Sequence, residues 1–99
     1  MLKEEKKLLP VLAELGNGDH LKGEILLRMI SGRVHHARQK HPLFAEGKFH
    51  ALGVIESEFR ELEYAIEHES EDRQRDEALD VIATCIRFLC GEHKTESKQ

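Results

Sequence analysis

Glu58, Glu61, Glu77 and Asp80 are the residues of this chain whose types and spacing could do chemistry. Two carboxylates held about 6 Å apart repel by about 3 kcal/mol at an effective dielectric of about 20. A hard divalent cation with oxygen ligands is the natural remedy. The spacing predicts such a convergence. In an antiparallel helix pair, residues that face each other share a sequence midpoint, and the 58/80 and 61/77 pairs are both centred on Glu69. ExxE or ExxD alone reads equally well as a solvated helix face in a chain with 34% charged residues, so the symmetry about one bend carries the expectation.

Two helices have to position these acids. From Ala78 to Cys90 only Asp80, Thr84 and Arg87 interrupt an apolar run. Their i, i+4, i+7 spacing makes one narrow polar stripe, which Glu77 extends, on a helix expected to be buried on nearly every side. In the preceding helix Leu52, Ile55, Phe59, Leu62 and Ile66 recur at spacings of three and four and form the expected core stripe. Glu58 and Glu61 lie beside that stripe with Val54 and Ala65 on their flank, at the edge of a packed surface.

Upstream, Lys3 to Leu15 is amphipathic, and Pro10 predicts a short, kinked or broken first helix. Gly16, Asn17 and Gly18 form a strong breaker, and Asp19 is the expected N-cap of a second helix from His20 to Lys40. Leu21, Ile25, Met29 and Val34 mark one apolar face of that helix, Ser31 and Gly32 weaken its middle, and Pro42 closes it. Its basic end (Arg33, His35, His36, Arg38, Lys40, His41) could attract a triphosphate or simply complement the helix dipole. The histidine spacing does not support a histidine metal site. Leu43 and Phe44 are the expected anchors of the following loop, and Lys48 opens the acid-bearing helix, where it could reach phosphate or be a solvated end residue. Residues 92–99 read as a polar, frayed tail.

With 99 residues the chain is expected to form one domain, 1–99, and its net charge of -4 argues against a DNA or RNA polymer as partner. A small nucleotide carried with its metal stays compatible. Cys85 and Cys90 suit reduced thiols in a cytoplasmic protein, the N-terminus lacks the apolar run of a signal peptide, and no stretch is long enough to span a membrane. A helix apolar nearly all round leaves more hydrophobic surface than so small a monomer hides, which predicts an obligate oligomer.

EFRELEYAI (Glu58 to Ile66), the sixteen-residue step from Glu61 to Glu77, and EALDVIA (Glu77 to Ala83) together resemble the MazG-like all-α nucleoside triphosphate pyrophosphohydrolases, whose signature is an EExxE helix followed by an ExxD helix. The resemblance covers Pro42 to Gly91. It implies an all-α antiparallel bundle of about four helices assembled as a homodimer or homotetramer. It also implies Mg²⁺, with Mn²⁺ as alternative, and hydrolysis of a (deoxy)nucleoside triphosphate to monophosphate and pyrophosphate. Carried over by position, the metal ligands are Glu58, Glu61, Glu77 and Asp80, with Glu61 also orienting or deprotonating the attacking water. Arg87, its side chain expected to lean back toward Asp80, and Lys48 are the candidate phosphate ligands, and an Arg87 paired with a carboxylate of a neighbouring helix or subunit is the equal alternative. Ser57 stands where the motif has its first acid. A phosphoribosyl-nucleotide pyrophosphohydrolase and a non-catalytic helical interaction module are the alternatives.

Overall fold

The computed structural model describes residues 3–94, with side chains from Lys6 onward, and the described residues form four α-helices and no strand. These are α1 (Lys3–Leu15), α2 (His20–Lys40), α3 (Lys48–His68) and α4 (Glu71–Leu89). Two compact units are distinguished, one ending at Gly32 and one beginning at Arg33, so the boundary falls inside α2 at the Ser31–Gly32 stretch.

In the first unit α1 runs unbroken through Pro10. The expected break is absent: proline removes the bond to the Lys6 carbonyl and crowds it, but both residues are exposed, so water can take the freed acceptor. The Gly16–Asn17–Gly18 breaker behaves as expected: Asn17 and Gly18 adopt positive φ of 57° and 97°. Asp19 then caps α2, its carboxylate accepting from the Leu21 and Lys22 amides at 3.0 and 3.3 Å. Gly23 is required by proximity, since a Cβ there would lie 1.8 Å from the Leu12 carbonyl oxygen. The apolar side chains of this unit mostly face outward: Leu8, Val11, Leu21 and Ile25 are all exposed.

The second unit is built on α3 and α4, which turn back on each other at Glu69 and Ser70. The Ser70 hydroxyl accepts from the Arg73 amide at 3.3 Å, and Glu71 and Asp72 place negative charge at the positive end of α4. The side of α3 that is covered differs from expectation. Ala51 and Ala65 are fully buried and Val54 and Glu58 half-buried, while Leu52, Phe59 and Ile66 of the expected core stripe are exposed. The covered flank is thus the one that carries the small alanines and Glu58, and the bulky stripe lies outside.

In α4 the relation is also reversed. The polar stripe holds the buried Glu77, Thr84 and Arg87, whereas Val81, Ile82 and Ile86 are only half-buried and Leu89 is 80% exposed. Of the predicted α2 face, only Val34 is buried. The small core cluster is Phe44, Ala45 and Ala51 with Val54 packed on it; Leu43, the other expected anchor, is exposed. Glu92 and His93, expected in a frayed tail, are held in place: His93 is buried, stacks on Phe88 and accepts the Gly47 amide on its carbonyl at 2.8 Å. Residues 95–99 of that tail lie outside the described residues.

Candidate metal centre and cleft

The bend at Glu69–Ser70 brings three of the four predicted acids together. Glu58, Glu77 and Asp80 each offer a carboxylate oxygen such that all three lie within 4.8 Å of one another. This follows from helix geometry: Glu77 and Asp80 are one turn apart on α4, and Glu58 faces them from the covered flank of α3. Glu61 is one turn further along α3, exposed, outside the three-oxygen group but lining the same cleft. Its charge is felt there, because it helps raise the carboxyls of Glu58 and Glu77.

The electrostatics are those of crowded acids. Burial first, then the charges of Glu61, Asp80 and Glu77, push the Glu58 carboxyl up from 4.5 to about 7. Glu77 is likewise raised, by burial and by Glu61 and Asp80, with Arg73 pulling the other way. Two arginines supply the positive charge. Arg73 donates a short hydrogen bond to Glu77 Oε2. Arg33 donates from Nη1 to Asp80 Oδ1 at 2.7 Å and to the Asp76 carbonyl at 2.9 Å, and from Nη2 to Asp76 Oδ1 at 3.2 Å. The compensation is incomplete: Glu77 is only 5% exposed, and its Oε1 is buried with no hydrogen-bond partner. An orphaned buried carboxylate oxygen beside two further carboxylates fits a hard divalent cation, which takes such oxygens as ligands.

Above the acids a cleft of about 680 Å³ opens within the second unit. Arg33, His36, Lys40 and His41 form a basic wall, Leu43, Phe44, Val54 and Ala83 an apolar one, and Glu58, Glu61 and Asp80 the acidic part. Arg33, His36 and Lys40 come from the last two turns of α2, where residues three and four apart share a face, and His41 follows directly after the helix. His35 and Arg38 of the same basic run do not line it, and Arg38 instead donates to Glu92 at 2.7 Å.

Of the two predicted phosphate ligands, Arg87 lines this cleft and Lys48 does not. Arg87 was expected to lean back toward Asp80. It is 3% exposed and its Nε donates to Glu92 Oε1 at 2.6 Å. Its Nη groups donate to the Ala37 and Pro42 carbonyls at 3.3 and 3.4 Å, and the guanidinium lies 5.1 Å from the Phe44 ring. Burial pushes the Glu92 carboxyl up, but hydrogen bonds from Arg38 and Arg87 outweigh it and hold the group below its ordinary value. Arg87 therefore fastens the end of α2 and the following loop to the segment after α4. Lys48 is exposed and away from the cleft lining, its ammonium 5.4 Å from the Phe49 ring. Ten residues of α3, about 15 Å, separate it from Glu58. Ser57 is exposed and does not line the cleft, one residue off the flank that carries Glu58.

Sequence reasoning missed the Arg33 and Arg73 pairings. Arg73 and Glu77 stand at i, i+4, a readable signal. The Arg33–Asp80 contact spans 47 residues and carried no local signature beyond membership of a basic run.

No protein-family model, no curated protein and no solved structure matches the chain. Among the described residues no helix is long and apolar enough to cross a membrane.

Proposed function

We propose that the chain is a metal-dependent nucleotide pyrophosphohydrolase that cleaves a (deoxy)nucleoside triphosphate into monophosphate and pyrophosphate. The observation that carries this reading is the group of Glu58, Glu77 and Asp80 with the buried, unpartnered Glu77 Oε1, at the edge of a cleft whose other wall is basic. Glu58, Glu77 and Asp80 would hold Mg²⁺ or Mn²⁺, which when bound neutralises phosphate charge and polarises the phosphorus under attack. Glu61, which lines the same cleft and is open to solvent, would orient a water or take its proton. Arg33 and Lys40 would give the phosphate chain its counter-charge; Arg87 also lines the cleft, whereas the expected Lys48 does not. The apolar wall leaves room for base or sugar.

The same reading includes a homodimer or homotetramer. Among the described residues no large side chain is fully buried, and Leu52, Phe59, Ile66 and Leu89 expose apolar surface on the two helices that carry the acids. A second copy of the chain covering these faces would give the site a rigid frame.

The deciding assay incubates the protein with Mg²⁺ and a panel of ribo- and deoxynucleoside triphosphates and separates pyrophosphate from orthophosphate. Pyrophosphate from at least one substrate, lost in Asp80→Asn, is the expected result. If Ser57 weakens the site, Ser57→Glu raises the rate. A panel giving no pyrophosphate with Mg²⁺ or Mn²⁺, in wild type and Ser57→Glu alike, sinks the reading and leaves a helical interaction module.

A further inference from the structure

We infer that Arg33 is a displaceable stand-in for the metal: its guanidinium occupies Asp80 until a divalent cation arrives, then turns the freed Nη1 N–H to the substrate's phosphates. This rests on the proposed metal site but concerns a residue outside it. Arg33 comes from α2, whereas the acids come from α3 and α4.

Three observations carry the inference. Arg33 Nη1 bonds Asp80 Oδ1 at 2.7 Å, and Asp80 belongs to the three-carboxylate group, so a cation and the guanidinium would draw on the same carboxylate. Secondly, Arg33 has an anchor that does not depend on Asp80. Nη1 also donates to the Asp76 carbonyl and Nη2 to the Asp76 carboxylate, and Asp76 lies one turn before Asp80 and outside the group. Loss of Asp80 to a metal therefore loosens the guanidinium without releasing it. Thirdly, Arg33 lines the cleft on its basic wall, so a guanidinium pivoting on Asp76 stays within the space that a phosphate chain would fill. A guanidinium held on Asp76 with one Nη1 N–H freed suits a charge-assisted hydrogen bond to a phosphate oxygen.

The inference makes a prediction of opposite signs, which a merely structural arginine would not give. In Arg33→Met, Mn²⁺ should bind about fivefold more tightly, because the competitor and its positive charge are gone. Inorganic pyrophosphate, titrated in saturating Mg²⁺, should bind about tenfold more weakly, because a charge-assisted contact is lost. Circular dichroism checks that the variant is folded. If it is not, Arg33→Lys, which keeps the charge but cannot hold both aspartates, should move both affinities in the same directions by less. In the wild type, nuclear magnetic resonance of the Arg33 guanidinium should show Nη rotation that is slow without metal and faster once Mg²⁺ saturates. Mn²⁺ affinity unchanged or lowered in the variant, or Nη rotation indifferent to Mg²⁺, overturns the role of Arg33 while leaving the metal site intact. Absence of Mn²⁺ binding in both wild type and variant overturns the metal site itself.

Discussion

Replacing Glu58 by glutamine should stabilise the metal-free protein, although it removes a residue of the proposed site. Glu58 is half-buried, faces the charges of Glu61, Asp80 and Glu77, and has its carboxyl raised from 4.5 to about 7. Because the folded-state value lies above the unfolded one, the native state binds more protons between these limits. The stability contributed by Glu58 is therefore greatest below 4.5 and is lost as the pH rises through about 7. Taken at face value the shift corresponds to about 3 kcal/mol. Water screens a half-buried group, so about 1–2 kcal/mol is the working figure. Glutamine keeps the shape without the charge. In EDTA at about pH 8, Glu58→Gln should melt above wild type by about 5–10 °C, and the gap should close toward about pH 5. The Glu92 carboxyl, held below its ordinary value, acts in the opposite sense but only in more acid solution, and it is common to both proteins. Thermal unfolding across that pH range provides the assay. A variant no more stable than wild type at high pH would show that the acids are not crowded, and the case for a cation would lose its electrostatic basis.

Arg87→Met should destabilise the fold by about 2–4 kcal/mol, measured by urea unfolding, because it strips the buried partner of Glu92 and of the Ala37 and Pro42 carbonyls. The same variant should leave Mn²⁺ affinity near the wild-type value, contrary to a direct role at the metal centre. Gly23→Ala drives a Cβ into the Leu12 carbonyl, and hydrogen exchange should quicken in α1 and the start of α2 while α3 and α4 keep their protection.

The acids and the bend between them were legible because both depend on local geometry. A common midpoint at Glu69 is arithmetic on the sequence, and Ser70 with Glu71 and Asp72 marks the start of α4. The second helix was legible from Asp19 through Lys40 for the same reason, since its cap and stop are written in adjacent residues. Which face each helix turns inward was not. Periodicity located the stripe of Leu52, Phe59 and Ile66, but hydrophobicity alone does not say what covers it, and within this chain the alanine flank is the covered one. The partners of the basic residues were equally hidden. Arg33, Arg38 and Arg87 look alike in sequence, yet one meets Asp80, one meets Glu92 at the surface and one is buried against Glu92, contacts that only the tertiary fold defines.

Calorimetric titration with Mn²⁺ on wild type and Asp80→Asn, at about pH 6 and about pH 8, is the most direct measurement of whether these carboxylates form a metal centre. Saturable binding is expected in the wild type, with proton release at the lower pH as Glu58 gives up its proton to become a ligand, and at least about tenfold weaker binding in the variant. No saturable binding by the wild type, or equal binding by Asp80→Asn, would contradict the centre and every functional step built on it.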